Sequence, residues 1–215
     1  MKNYKKRCAL IRKKILKLSQ NVKALHIGGA FSSVEIIERI FFNFMKKNDI
    51  FILSKGHAGI LLYVVLNLKK KITNKQLNLY CNKKGKLGVH PDYKTFGINA
   101  STGSLGHGLN LAAGMALAEK NKKNKYIVLM SDGELQEGSV WESILFISSN
   151  KLNNIIIIID NNNLQSSTKA TDTHPTLYPI KEKFLSFGWE SLVCDGHNSN
   201  KIEKIMSKKH NKPFA

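Results

Sequence analysis

Arginine is nearly missing from this chain. Only Arg7, Arg12 and Arg39 stand against 31 lysines, and 21 asparagines and 22 isoleucines accompany them. Lys, Asn and Ile share codons rich in A and T, so the formal charge of +19 reads as compositional bias rather than as a binding surface. The lysines are scattered in short clusters (Lys69 to Lys71, Lys122 and Lys123, Lys208 and Lys209). Neither an RNA-binding aromatic motif nor a recognition helix goes with them, so no specific nucleic-acid partner is expected. Cysteine is scarce too. Cys8, Cys81 and Cys194 are odd in number, far apart and without CxxC spacing, which argues against a disulfide framework or a cysteine zinc site and fits a reduced cytoplasm. No apolar run approaches the roughly 20 residues that cross a bilayer, so no membrane is expected. The basic opening has no signal-peptide core; Tyr4, Cys8, Ile11, Ile15 and Leu18 fall instead on one stripe of an amphipathic helix.

What is present suits one well-buried domain, residues 1–215, since 42% of the chain is hydrophobic. A second helix is expected after "HIGGAFSS", with Val34, Ile37, Phe41 and Phe44 on one face, then a short buried strand, "DIFILS". A helix over "ILLYVVLNLKKK" and another over "TNKQLNLYC", opened by a Thr cap, lead to a long Gly-containing connection, residues 82–106. Loops of that length inside a compact domain are usually functional. After a helix crowded with small residues, "LGHGLNLAAGMALA", a rhythm sets in: strand "YIVLMS", helix "SVWESILFISSN", strand "NIIIIID", helix "TLYPIKEKFLSFG", strand "ESLVCD" and helix "SNKIEKIMSKK". Apolar strands that do not alternate, separated by helices, indicate an α/β fold. It is expected to be doubly wound, with a mostly parallel sheet and helices on both faces.

In such a sheet ligands gather at the carboxyl ends of the strands. "SDGELQEG" places Asp132 at one such end, and Asn162 follows the next strand 30 residues later, a separation that accommodates one right-handed crossover. A carboxylate, an amide oxygen, a backbone carbonyl and phosphate oxygens make an oxygen-only shell suited to magnesium. Gly133 would let the backbone approach the phosphate. An isolated Asp-Gly is more often an ordinary turn; the paired spacing is the stronger signal.

"SDGELQEGSVWES" followed by "IIIIIDNNNLQ" resembles the thiamine-diphosphate motif of transketolases, and the likeness extends through "HIGGA", "LSKGHAGILLY", "GVHPD", "ASTGSLGHGLNLAAGMALA" and "FGWESLVCDGHN". It covers almost the whole chain in order and is nearest to the separate amino-terminal subunit of split transketolases. The resemblance implies thiamine diphosphate and Mg2+ as cofactors. Asp132 and Asn162 would be side-chain metal ligands and Leu164 a ligand through its carbonyl. Gly133, Gly103, Leu105 and His57 would line the cofactor, with Asn162 beside it. His26 and His90 would contact the sugar, and Glu137 and Glu142 would lie near a subunit interface where carboxylates influence proton movement between cofactors. His107, in "SLGHG", reads as support for the turn rather than as a site residue, and His174, His197 and His210 lie outside the motifs or in loops with weaker signals.

By the same resemblance, the chain would move a two-carbon ketol unit between sugar phosphates of the pentose phosphate pathway. It would do so in the cytoplasm, within a dimer of heterodimers completed by a carboxyl-terminal subunit carrying the activating glutamate. Which histidine acts as acid or base stays open. So does whether the chain is naturally short or shortened at its carboxyl end. The alternatives are a non-catalytic assembly subunit of a decayed enzyme and a subunit like deoxyxylulose-phosphate synthase. Three positions depart from the family pattern: Ser131 for the first Gly of Gly-Asp-Gly, Leu25 for a small residue, and Cys81 where many relatives have Arg.

Overall fold

The structure, a computed structural model, describes residues 3–20, 22, 26–120, 123–166 and 168–215; Leu25 and Lys122 lie outside them. In chain order the helices are α1 (Asn3–Ser19), α2 (Ile27–Ser32), α3 (Val34–Arg39), α4 (Gly59–Leu68), α5 (Asn74–Asn78), α6 (His107–Ala118), α7 (Gly138–Ser149), α8 (Ala170–Thr173), α9 (Ile180–Ser186) and α10 (Ser199–Met206). The strands are β1 (Ile50–Leu53), β2 (Tyr126–Ser131), β3 (Ile155–Asp160), β4 (Leu164–Gln165) and β5 (Thr168–Lys169). The chain divides into two compact units. One comprises residues 1–46, 56–103 and 194–207, the other residues 47–55, 104–193 and 208–215.

The second unit is α/β with a parallel sheet, in the order β1-β2-β3. Every residue of β2 is buried, which is why its apolar run is continuous: a central parallel strand covered on both faces has no solvent side for polar residues to occupy. Register places Leu53 beside Leu129 and Ser131 beside Asp160, so β2 and β3 end side by side, with β1 ending two residues short of them. Helix α6 packs across all three strands. It approaches closely at Gly108, where a Cβ would lie 2.5 Å from the Ser54 side chain. Trp189 is buried and donates from Nε1 to the Ile144 carbonyl, tying the segment after α9 to α7.

Two expected elements of the second unit form differently. The helix expected over residues 176–188 begins only at Ile180, because Pro179 cannot donate a helical N–H and holds Tyr178 extended (φ −95°, ψ 146°). Residues 175–177 make a separate single 3-10 turn. "ESLVCD" is not a strand. Glu190 forms an isolated bridge with Phe214 and Leu192 donates to the Ala215 carbonyl, while Val193 is 76% exposed. With so little to pair against, β propensity alone leaves the segment irregular.

The first unit is helical. The stripe on α1 is buried at Cys8, Ile11, Ile15 and Leu18. All three arginines of the chain serve here. Arg12 forks onto Glu35 at 2.7 and 2.8 Å, while Arg7 and Arg39 both donate to the buried Glu38. The planar guanidinium suits such paired recognition in a way lysine does not. Helix α3 runs on into a π-helical turn, Ile40–Phe44. Helix α4 is shorter than the apolar and lysine run that announces it, ending at Leu68 before Lys70 at φ 59°. Thr73 caps α5 with a reciprocal capping box through Gln76. Among the described residues no helix is long and apolar enough to cross a membrane.

Candidate functional site

In the second unit β2 ends at Ser131 and the chain turns through a single 3-10 segment, Asp132–Gln136, before α7. Ser131 caps that turn. Its side chain accepts from the Glu134 N–H while the Glu134 carboxylate accepts from the Ser131 N–H at 3.1 Å. The departure from glycine at 131 therefore supplies a cap of its own rather than merely fitting the turn. Asp132 is completely buried. Its Oδ1 accepts from the Gly133 N–H at 3.0 Å, and its Oδ2 from the Asn163 N–H at 2.8 Å and the Tyr178 hydroxyl at 3.2 Å. Burial pushes the Asp132 carboxyl above its ordinary range, aided by the nearby Asp160 charge and opposed by those three bonds. Tyr178 is pushed up to about 12 by burial and by Asp132, so it stays a donor.

The loop after β3 is folded onto this turn, as the crossover spacing requires. Asn162 Oδ1 accepts from the Leu164 N–H at 2.8 Å and its Nδ2 faces Asp160 Oδ2 at 3.3 Å. Asn163, at φ 57°, turns its N–H to Asp132, a left-handed conformation that Asn adopts more readily than most residues. Leu164 pairs with Lys169 in the β4–β5 hairpin, with its side chain 66% exposed. Gly133 has open space where a Cβ would be, with Ser131 Oγ the nearest atom at 3.9 Å.

This donor set fits a hard divalent cation. The buried carboxylate is met only by neutral donors among the described residues, and an amide oxygen stands on the adjacent loop; an amide oxygen has a second lone pair to offer. Among the described residues no three His, Cys, Asp or Glu side chains cluster, so a site here would rest on one carboxylate and neutral oxygens.

Three buried groups beside this turn escape a reading by motif. Glu134 is completely buried, and besides the Ser131 N–H it accepts from Ser54 Oγ at 2.6 Å and the Gly106 N–H at 3.0 Å. Burial pushes its carboxyl up, against those three bonds and the charge of Lys55. Lys55, itself completely buried, pairs with Asp160 at the end of β3. The spacing Ser131-x-x-Glu134 was the available signal for the first. Nothing local announces the second, whose partners are 105 positions apart.

In the first unit His26 and His90 lie on loops, and His57 lies in a single 3-10 turn, Gly56–Ala58, that leads into α4. His26 is exposed at the start of α2, and its ring meets that of His57 edge-on at 5.3 Å between centroids. His90 is exposed; its carbonyl accepts from the Tyr63 hydroxyl at 2.8 Å. Glycines bring these segments together. A Cβ on Gly56 would lie 2.8 Å from the Gly103 nitrogen, and one on Gly103 would lie 3.2 Å from the His90 ring. The unit therefore collects His57, Gly103 and His90 through close backbone approach, with His26 against His57.

The remaining predicted residues belong to the second unit. Leu105 is half-buried just before Gly106, whose φ of 79° opens α6. Glu137 is exposed at the N-cap position of α7 without a capping bond, and Glu142 is exposed one turn further on. His107 is exposed on the first turn of α6. His210 Nδ1 pairs with Glu190 at 2.9 Å. A recess of about 310 Å³ next to the turn is lined by Leu135, Trp141, His174, Leu177, Lys183 and Phe187 among others. None of the predicted ligands lines it.

Comparison with known proteins agrees with this architecture. Residues 8–213 match the family model described as transketolase, thiamine diphosphate binding domain. An apulose-4-phosphate transketolase subunit from Phocaeicola vulgatus is 35% identical over 202 residues, covering 89% of this chain and 72% of that one. The 6-deoxy-6-sulfo-D-fructose transketolase subunit SqwG of a Clostridium species is 34% identical over 205 residues, covering 90% and 74%. A crystal structure of transketolase from Campylobacter jejuni superposes with a TM-score of 0.90 at 26% identity, covering 100% of this chain and 37% of that one. The chain thus spans little more than a third of that transketolase but most of the two subunits. With the motifs in order and the parallel sheet carrying them, the chain belongs to the transketolase family, as its thiamine diphosphate binding domain.

Proposed function

We propose that the chain is the amino-terminal, cofactor-binding subunit of a two-subunit transketolase, residues 1–215 serving as one functional domain that works with a carboxyl-terminal subunit. The observation that carries this is the buried Asp132 carboxylate at the end of β2, held by neutral donors beside the Asn162 loop. Asp132, Asn162 and the Leu164 carbonyl would hold Mg2+, and Gly133 and Leu105 the diphosphate. By the family resemblance His57 and Gly103 would meet the cofactor, and His26 and His90 the sugar. Thiamine diphosphate, when bound, supplies the nucleophilic carbon and electron sink for moving a two-carbon ketol unit.

What this chain adds is positioning and proton movement. An exposed imidazole can donate to a sugar oxygen and take the proton back. Glu137 and Glu142, exposed on the first turns of α7, would carry charge toward a partner surface. The substrate class is a ketose with an anionic end group. One relative is named for a sugar phosphate and another for a sulfo-sugar, and the common feature is that charge. A deoxyxylulose-phosphate synthase and a non-catalytic assembly role are less favoured, since the relatives compared are transketolases.

The test is reconstitution. The chain alone is expected to show negligible ketol transfer and to gain it on mixing with a carboxyl-terminal transketolase subunit, in the presence of Mg2+ and thiamine diphosphate. Full turnover by the chain alone would reject the two-subunit reading.

A further inference from the structure

The Glu134 carboxylate stands where three separate pieces of the second unit end. It accepts from Ser54 Oγ after β1 at 2.6 Å, from the Ser131 N–H at the end of β2 at 3.1 Å, and from the Gly106 N–H at the start of α6 at 3.0 Å. The side chain is completely buried, and two of its donors are 80 and 28 positions away in sequence. An ionised carboxylate accepts only, with room for about four hydrogen bonds, so it can take three converging donors without offering any of them a clash. Bonds to a charged acceptor are also roughly twice as strong as neutral ones. A glutamine of the same shape would replace one accepting oxygen with an NH2 group facing a donor.

Every piece that Glu134 holds carries a group assigned above to the metal or the diphosphate, or borders one. Ser131 precedes Asp132 and Gly133, Gly106 follows Leu105, and β1, which Ser54 follows, is paired to β2. There is no room for a side chain at Gly106, where a Cβ would lie 2.8 Å from Ser139 Oγ and 2.9 Å from the Glu137 Cβ. Asp132 and Glu134 lie in the same 3-10 turn, yet the Glu134 carboxylate is spent on the scaffold.

We propose that Glu134 is the positioning residue of the cofactor cradle, fixing the Asp132–Gly133 turn against the Leu105–Gly106 segment. The inference rests on the thiamine diphosphate reading. It goes beyond that reading in assigning the preorganisation of the metal carboxylate to a second acid that never touches the ligand. A ligand-binding geometry held in place before binding is worth affinity, because less order must be imposed on binding.

The experiment pairs the chain with its carboxyl-terminal partner and compares the unsubstituted protein with Glu134→Gln and Ser54→Ala. Three quantities are measured: thiamine diphosphate half-saturation at fixed Mg2+ by calorimetry, turnover at saturating cofactor, and amide hydrogen exchange at Gly106 and Ser131 without cofactor. Glu134→Gln is expected to raise half-saturation on the order of tenfold, the equivalent of one buried hydrogen bond turned against its partner. Turnover at saturation should recover, and both amides should exchange faster. Ser54→Ala, which removes one donor and leaves the carboxylate, should show the same split on a smaller scale, roughly threefold.

A merely structural glutamate would lower the folded fraction and leave the half-saturation of the folded protein unchanged, and that result overturns the proposal. If Glu134→Gln does not fold, Ser54→Ala decides by the same criterion. Absence of thiamine diphosphate binding in the unsubstituted complex would instead refute the functional reading and take this inference with it.

Discussion

In the first unit the candidate groups His26 and His90 are exposed on loops, and what places them is backbone. Gly103 lies against the His90 ring, Gly56 against the Gly103 nitrogen, and the Tyr63 hydroxyl holds the His90 carbonyl. In the second unit the candidate groups are buried at strand ends, and what places them is hydrogen bonding: three donors on Asp132, three on Glu134, and Lys55 on Asp160. Exposed imidazoles cost nothing to desolvate and can exchange protons with a ligand. Buried carboxylates are costly unless every lone pair is met, so they cannot be separated from the fold that meets them. Substitution in the first unit should therefore change chemistry with little change in stability, and substitution in the second should change both.

The largest expected effect tests the buried side. Lys55→Met removes the buried cation that meets Asp160, and breaking a buried pair from one side costs about 3–5 kcal/mol. Denaturant unfolding of the cofactor-free chain measures it, and a loss below about 1 kcal/mol would show that the pair behaves like an exposed one. Asp132→Ala comes next. Thiamine diphosphate and Mg2+ affinity of the assembled enzyme should fall by about a hundredfold or more, and unchanged affinity in calorimetry would refute the metal assignment.

His90→Ala sharpens the contrast from the other side. Ketol transfer should drop by about a hundredfold, while unfolding free energy should stay within about 0.5 kcal/mol. A comparable loss of stability would erase the distinction between the units. The smallest effect lies in the ion pairs of the first unit. Burial raises Glu35, but its bonds to Arg12 and His197 outweigh that and hold its carboxyl below the ordinary value of 4.5. A group depressed in the folded state stabilises fully above its ordinary value and loses that contribution as pH falls through the depressed one. Arg12→Met should therefore cost about 1 kcal/mol near neutrality, and the difference from the parent should shrink in acid titration below the ordinary glutamate range. A difference that persisted unchanged at low pH would assign the effect to packing.

Much of the second unit was legible in advance because its signals are local. "YIVLMS" and "NIIIIID" become β2 and β3 over the expected residues, and in the first unit the Thr73 cap opens α5 as anticipated. The two elements of that unit that formed differently each had a competing local cause. Pro179 interrupts an otherwise helical pattern, and "ESLVCD" has the composition of a strand without a full neighbour to pair with. Placement of the candidate residues was legible through spacing and family likeness. Their partners were not: Tyr178 reaches Asp132 across 46 positions and the Gln136 amide reaches Gln165 across 29.

By itself the amino-acid sequence determined the fold class, the strand that ends at Asp132, the crossover that returns at Asn162, and the family, because apolar periodicity and short motifs are properties of neighbouring residues. Only the tertiary structure decided how each acid near the end of β2 is held. Glu134, Asp132 and Glu137 lie within six residues of one another. Yet the first is tied by donors from the ends of β1 and β2 and the start of α6, the second by its neighbour Gly133 and by Asn163 and Tyr178 from the loops after β3, and the third is exposed. Burial and hydrogen-bond partners are set by what the rest of the chain brings to a point in space, and a local stretch of sequence carries no record of that.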